Sequence, residues 1–553
     1  MADERATGRA QAAGAEWWRG AVVYQIYPRS FQDSNGDGIG DLEGIIARLD
    51  YLNDGTERSL GVDAVWLSPI FRSPMRDFGY DVSDYCDVDP VFGDLPTFDR
   101  LLAECHRRGI RVLLDWVPNH TSDQHPWFLE SRSSRESPKR HWYVWRDPKP
   151  DGSPPNNWRS AFGGPAWTFD ERTGQYYLHS FLPEQPDLNW RNPEVVAAMH
   201  ETLRFWLRRG VDGFRMDVIG KLMKHPDLAD NPPNPHWDPS DPTSPKLLGV
   251  NDWNYPDVFE AVRGIRRVLD EFPGAVAVGE VFGTTEEIAR FYGDPEKLDG
   301  LHLPFNFQLI HAPVGRRYTP WDAAVIARVI EEAERVLPPR AEPCWVLNNH
   351  DRSRFVSRHG RDGHGLARAR AAALLLLGLR GTIFLYYGEE LGMPDVEIPP
   401  ARQLDPARLR SVGRDPARTP MLWDEGPGRG FTTGKPWLPF GPAGISVAAQ
   451  DRRPDSILNL YRRAVWTRRT EPALGSGALE LLGASDGVLA FRRSKEGARS
   501  IVVLVNTAAE TRTVPVSGPV RILLSSDERA VALAEGKLEL GPFAAAWVEE
   551  AGR

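Results

Sequence analysis

Eight short β-rich runs alternate with stretches of helical periodicity through most of the chain, and this alternation restricts the fold more than any other feature. The runs are AVVYQIYP (21–28), VDAVWLSPI (62–70), IRVLLDWVP (110–118), VDGFRMDVI (211–219), AVAVGEV (275–281), LHLPFNF (301–307), CWVLNNHD (344–351) and TIFLYYGEE (382–390). Most are continuously apolar, as strands covered on both faces are. Between them lie LEGIIARLDYL (42–52), TFDRLLAECHRRG (97–109) and NPEVVAAMHETLRFWLRRG (192–210), then PDVFEAVRGIRRVLDEF, WDAAVIARVIEEAERVL, LARARAAALLLLGL and SILNLYRRAVWTRRT (456–470). Thr97 is the expected N-cap of the second helix and Gly109 its stop; Asn192, Pro193 and Gly210 play cap, first-turn and stop roles for the third. Eight strands with helical stretches between them predict a closed (β/α)8 TIM barrel, an α/β fold, in preference to a doubly wound open sheet.

Three connections are too long for simple strand–helix loops. Residues 119–191 are rich in Trp, Pro, Gly and Asn and read as an inserted domain; 220–255 and 391–450 are the other two. All follow the C-terminal ends of strands, the face on which barrels build active sites. After about 475 the pattern becomes short alternating segments, VLAFRRS, SIVVLVN, TRTVPV, VRILLSS and KLELGPFAAAWVE, predicting a small antiparallel β-sandwich. The expected division is a mobile tail at 1–15, a barrel at 16–118 and 192–474, the insertion at 119–191 and a C-terminal β domain at 475–553.

The strand ends carry the chemistry. Asp115, Asn119 and His120 end the third strand; Arg215 and Asp217 the fourth; Glu280 the fifth; Asn349, His350 and Asp351 the seventh. On a barrel they converge on one mouth. Carboxylates without a His/Cys ligand cluster point to glycosyl transfer, in which a retaining enzyme uses one carboxylate as nucleophile and one carboxylic acid as proton donor. Arg215 lies two residues before Asp217, on the same strand face, and is expected to lower its pKa. Glu280 has no basic neighbour in sequence, which suits an acid held protonated.

The loop DSNGDGIGD (33–41) places Asp33, Asn35, Asp37 and Asp41 at alternate positions, the spacing of a calcium loop. It is not an EF-hand: the twelfth residue from Asp33 is Gly44, where an EF-hand needs Glu, and a strand precedes it. The other reading is an Asp/Gly turn without metal.

The segments DWVPNH (115–120), GFRMDVI (213–219), GEV (279–281) and NNHD (348–351) resemble the four signature regions of the α-amylase family, glycoside hydrolase family 13. RDFGYDVSDY (76–85), QPDLNW (185–190) and RDPARTPMLW (414–423) resemble its α-glucosidase and oligo-1,6-glucosidase branch. The resemblance implies a catalytic barrel, an inserted domain and a β-sandwich in that order. It further implies Asp217 as nucleophile, Glu280 as acid/base and Asp351 as transition-state stabiliser. His120 and His350 would bond glucose hydroxyls, and Tyr80 would stack on the sugar. Asp77 would pair with Arg414, or with Arg418, to close the pocket. Phe162, Phe181 and Gln185 would line the entrance. A structural Ca2+ or Mg2+ would sit on Asp33, Asn35, Asp37, the Ile39 carbonyl and Asp41, with no organic cofactor.

The activity so implied is a retaining exo-α-glucosidase acting on short glucosides of the maltose, isomaltose or sucrose type. Transglucosylases, sucrose isomerases and trehalose synthases use the same intermediate. Sucrose isomerases carry an RLDRD-like stretch after NHD, where this chain has RSRFVSRHG. Amino-acid transporter heavy chains share the fold but carry a membrane span and lack the full catalytic set; the longest apolar run here, AAALLLLGL (371–379), is too short to span. A net charge of −9 argues against nucleic-acid or anionic-membrane partners. Three scattered cysteines and no apolar leader predict a cytoplasmic protein. The 19 Trp, 14 Tyr and 23 Phe suit sugar stacking and a large aromatic core equally.

Overall fold

The computed structural model describes residues 16–238, 245–311, 318–409, 413–516, 520–534 and 536–550; the expected tail at 1–15 lies outside them. Eight parallel strands form one sheet: β1 (Val22–Ile26), β2 (Ala64–Leu67), β3 (Arg111–Trp116), β4 (Gly213–Met216), β5 (Val276–Gly279), β6 (Leu303–Pro304), β7 (Cys344–Val346) and β8 (Thr382–Tyr386). The pairing order is β6-β5-β4-β3-β2-β1-β8-β7. A parallel bridge between Asn306 and Trp345 joins the sixth strand region to β7 and closes the TIM barrel.

The period of two along each strand sorts side chains between core and site. Val23, Ala64, Trp66, Leu113, Val276, Val278, Leu303, Phe305, Cys344, Val346 and Phe384 fill the barrel interior as one buried cluster. Two residues further toward the C-terminal end, the same parity delivers Asp115 after Leu113, Asp217 after Arg215 and Glu280 after Val278. Apolar layers below and polar groups above thus follow from one alternation.

Outside run α1 (Leu42–Ala47), α2 (Leu95–Arg107), α3 (Pro193–Arg209), α4 (Val258–Asp270), α5 (Thr285–Ala289), α6 (Ala323–Val336), α7 (Gly365–Gly378) and α8 (Ile457–Thr470). Three details differ from expectation. The first helical pattern breaks at Arg48 into α1 and a second turn, Leu49–Leu52. The cap of α2 is Asp94, whose carboxylate accepts the Thr97 N–H at 2.8 Å; Pro96 fits the first turn, so the helix starts before Thr97. The fifth helix is a five-residue element, fixed by a capping box between Thr284 and Glu287. As expected, Asn192 caps α3, and Gly210 ends it at φ 100°, a conformation glycine adopts without strain.

From Ala371 to Gly378, helix α7 is apolar on all sides because it is covered on all sides. One face meets the barrel. The other meets a five-stranded antiparallel sheet ordered 478–485, 488–494, 501–506, 545–550, 520–525. Trp547 Nε1 of that sheet donates to the Leu374 carbonyl at 2.9 Å. A three-stranded sheet, 512–515, 537–540 and 531–534, packs behind it through Val502, Leu504, Leu538, Leu540 and Val548. Between β3 and α3 lies a three-stranded sheet of Trp145–Arg146, Gln175–Leu178 and Trp167–Asp170.

Candidate active site

Arg215 organises the barrel mouth. It stands in register with Asp115 on β3 and Val278 on β5. Its Nη1 donates to Asp115 Oδ1 at 2.8 Å and Asp217 Oδ1 at 2.9 Å, and its Nη2 lies 2.9 Å from Glu280 Oε2. Glu280, which has no basic neighbour in sequence, thus has a basic partner one strand away, invisible to local sequence. Arg215 does act to lower the pKa of Asp217, as expected, but burial outweighs it. Burial is the largest influence and pushes the Asp217 carboxyl well up; Arg215 pulls it down, while Glu280, Asp115 and Asp351 push it further up.

Glu280 Oε2 also accepts the N–H of Val218 at 3.1 Å. Val218 can aim its N–H there because its backbone is left-handed, φ 36° and ψ 45°. That conformation is costly for a β-branched residue, on the order of 1–3 kcal/mol. With Oε2 held by two donors, Oε1 is the oxygen left to carry a proton. By the same count, Oδ2 of Asp217 is left to react.

A relay of neutral groups supports this pair. Gln25 Nε2 donates to His350 Nδ1 at 2.8 Å, which leaves the His350 proton on Nε2. Nε2 lies 2.6 Å from the Tyr80 hydroxyl, which donates to Asp115 Oδ2 at 3.0 Å. The Tyr80 and His350 rings stack at 5.4 Å and 3°. Burial keeps His350 neutral, far below its usual pKa, and raises Asp115 to about 6. His120, lowered by burial to about 4, accepts from Asn119 Nδ2 and donates Nε2–H to the Tyr80 carbonyl.

Asp351 meets Arg414 Nη1 at 3.1 Å and Arg418 Nη2 at 3.0 Å. Burial favours its neutral form, but the facing His350, Arg414 and Arg418 outweigh burial and hold the carboxyl below its usual range. Arg414 Nη2 donates to Asp77 Oδ1 at 2.6 Å and Asp405 Oδ1 at 2.7 Å, so Arg414 is the partner of Asp77. Arg418 lies behind it, with Nε on the His350 carbonyl at 2.8 Å. Gln185 Nε2 reaches Asp77 Oδ2 at 3.2 Å. Phe162 and Phe181 form one wall, their rings 6.2 Å apart. Asp77, Tyr80, His120, Phe162, Phe181, Asp217, Glu280, Asp351 and Arg414 line a single cavity of about 1040 Å3.

Several supporting groups escape single-motif reading. Asp81 accepts the Arg76 and Asp77 N–H groups at 2.8 and 2.9 Å and shapes the loop bearing Asp77 and Tyr80. Asp187 of QPDLNW takes Lys224 Nζ at 2.8 Å and the Ser180 N–H and hydroxyl, tying the 119–191 segment to the loop after β4. Both acids sit inside the quoted motifs, which was the available signal. Phe282, Lys221, Trp253 and Arg352 also line the cavity and carried none.

In the loop at 33–41, the Asp33 carboxylate accepts from the N–H groups of Asn35, Gly36 and Gly38, and Thr432 donates to it as well. Asp41 Oδ2 accepts the Ser34 N–H and hydroxyl. Asn35 and Asp37 each use one oxygen, Oδ1, to accept an N–H two residues on. Among the described residues, no three Asp, Glu, His or Cys side chains converge as a metal cluster. The donors are all hard oxygens, the chemistry that Ca2+ and Mg2+ take, but a site here needs the Asn and a carbonyl as well.

Residues 25–477 match the family model of the α-amylase catalytic domain, and 485–548 that of the C-terminal immunoglobulin-like domain of D-apionate lactonase. The chain is 46% identical to a probable α-glucosidase of Rhizobium meliloti (strain 1021) over 90% of each protein. It is 40% identical to an oligo-1,6-glucosidase of Parageobacillus thermoglucosidasius, over 90% of this chain and 91% of that one. The crystal structure of the trehalulose synthase MutB from Pseudomonas mesoacidophila MX-45 superposes with a TM-score of 0.86 at 35% identity, over 97% of this chain and 100% of that one. With its barrel, its paired carboxylates and a catalytic-domain match across most of its length, the chain belongs to the α-amylase family.

Proposed function

We propose that the protein is a retaining, exo-acting α-glucosidase that releases glucose from the non-reducing end of short α-glucosides. One observation carries this: a single guanidinium, Arg215, touches both Asp217 and Glu280 inside the cavity that Asp77 and Arg414 close. Carboxyls within one guanidinium's reach stand on the scale of a retaining pair, roughly 5–5.5 Å. In the proposed reaction Glu280 Oε1 gives its proton to the glycosidic oxygen while Asp217 Oδ2 attacks the anomeric carbon. The aglycone leaves as an alcohol and a glucosyl ester forms on Asp217. Glu280, now a carboxylate, takes a proton from water, whose oxygen displaces Asp217 and restores the α configuration. Asp351 faces the positive charge that develops on the ring. His120, His350, Gln185 and Tyr80 hold glucose hydroxyls and one ring face, and Phe162 and Phe181 flank the entrance.

Incubation with maltose, isomaltose, sucrose and trehalose, with products followed by chromatography and proton NMR, tests the reading. Glucose first appearing as the α anomer supports it. Chiefly isomerised or chain-extended products would instead assign a glucosyl-transfer enzyme.

Val218 lines the cavity beside the nucleophile. α-1,4 and α-1,6 linkages present the second sugar at different angles, and a methyl-sized change of fit there discriminates by about 1–3 kcal/mol. We expect good isomaltose cleavage, and Val218→Thr to move the kcat/KM ratio of maltose to isomaltose about tenfold toward maltose. Steady-state kinetics on both sugars decide this; an unmoved ratio leaves Val218 only a packing role.

We further propose that Asp33, Asn35, Asp37, the Ile39 carbonyl and Asp41 hold a structural Ca2+ or Mg2+. An ion bound only by the folded state stabilises it by about 2.7 kcal/mol at a hundredfold excess over Kd. EDTA is expected to lower the Tm by about 2–4 °C and calcium to restore it. An unchanged melting curve, with no metal by elemental analysis, assigns an empty Asp/Gly turn. The free cysteines Cys86, Cys105 and Cys344 support a cytoplasmic location. Among the described residues no helix is long and apolar enough to cross a membrane.

A further inference from the structure

The side of the cavity lined by Phe282 and Phe307 carries two arginines beside an aromatic wall. Arg352, half-buried, and Arg361, exposed, both line the cavity that holds Asp217 and Glu280. The Arg352 guanidinium lies 6.0 Å from the centre of the Phe282 ring, and that ring stacks on Phe307 at 5.0 Å and 17°. Among the described residues neither arginine makes a hydrogen bond or an ion pair.

The other charged groups on that side are already engaged. Lys221 is paired with Asp252 at 2.8 Å. Asp395 accepts from the Ser353 hydroxyl and the Arg354 N–H. Arg358 donates to the Ser353 and Leu347 carbonyls. Asp362, the residue after Arg361, is bound by Arg368. The acids deeper in the cavity have their own guanidiniums: Arg215 for Asp217 and Glu280, Arg414 and Arg418 for Asp351. Arg352, whose charge also acts on Asp351 without contacting it, and Arg361 are therefore the guanidiniums left to bond a ligand.

We propose that this half of the cavity is an anion-binding subsite: the enzyme prefers α-glucosides whose aglycone presents a flat apolar face to Phe282 and a carboxylate or phosphate-type group to Arg352 and Arg361. A guanidinium matches either anion with two parallel N–H donors. The proposal rests on the glucosidase reading and deepens it. A carboxylated alcohol entering the same subsite would serve as the acceptor for the glucosyl group on Asp217, in place of water.

The test compares 4-carboxyphenyl, 4-phosphonophenyl and neutral 4-carbamoylphenyl α-glucosides. The expected kcat/KM ratio of the better anionic substrate to the neutral one is roughly five- to thirtyfold, the effect of one charge-assisted contact in a partly solvated site. Which anion gives the higher ratio identifies the group. Arg352→Gln should reduce the ratio to near unity, Arg361→Gln should reduce it less, and raising NaCl from about 20 to about 500 mM should compress it in the wild type. A wild-type ratio of one or below, or a ratio unchanged in Arg352→Gln, overturns the proposal. If no aryl glucoside is cleaved and the four disaccharides also go uncleaved, the glucosidase reading fails. Without aryl cleavage the subsite is judged by calorimetric titration with 4-hydroxybenzoate against 4-hydroxybenzamide, and equal affinities overturn it.

Discussion

Asp217→Ala is expected to lower kcat/KM by about four to six orders of magnitude on every α-glucoside, activated or not. The loss is uniform because Asp217 supplies the bond that each substrate must form, whatever its leaving group. The surroundings survive the change: Arg215 stays anchored on Asp115 and Glu280, and Tyr80 and His350 remain fixed by their relay. A small external anion can then occupy the vacated space. Added azide should restore part of the turnover on an activated glucoside and give the β-glucosyl azide, because attack comes directly from the face that Asp217 occupied. In the wild type a fluorinated glucoside should label Asp217 by mass spectrometry. Label on another residue, or more than about one per cent residual activity in Asp217→Ala, would remove Asp217 from the nucleophile role.

The barrel was legible because continuous apolar strands and amphipathic helices differ sharply in period, and eight such strands leave few ways to close. Asp115, Asp217 and Glu280 were legible from position alone: each extends the inward parity of its strand beyond the apolar layers. What stayed hidden depends on neighbours across strands. Arg215 reads in sequence as a partner for Asp217 only. Its contacts with Asp115 and Glu280 need the registers that set Asp115 beside Arg215 and Met216 beside Gly279. The left-handed backbone at Val218 is hidden for another reason, since nothing in a β-branched residue announces φ 36°. The early start of α2 was misread because Thr97 is itself a good cap, yet Asp94 followed by Leu-Pro is better placed. Helix α5 carries a capping box but too few residues to show a period.

The same hidden contact sharpens the second large effect, that of Glu280→Gln. Glu280 Oε2 receives both Arg215 Nη2 and the Val218 N–H. A glutamine carbonyl oxygen can accept those two bonds, which places its amide nitrogen where Oε1 stood. The replacement thus keeps the geometry and removes only the transferable proton. A disaccharide needs that proton, because its leaving alkoxide is strongly basic, and its kcat/KM should fall by about 10^3–10^4-fold. That lies at the upper end of what positioned proton transfer contributes. A 4-nitrophenyl glucoside departs nearly unaided, so its first step should slow by no more than about tenfold. Its second step still lacks the base that activates water, so a burst of nitrophenol, with one equivalent of glucosyl-Asp217, should precede a slow steady state. Azide, a nucleophile that needs no base, should accelerate that steady state and yield the α-glucosyl azide. The configuration is opposite to the product of Asp217→Ala, because here Asp217 still performs the first displacement. Equal losses on both substrates without a burst would assign the proton transfer to another group and leave Glu280 as a partner of Arg215 alone.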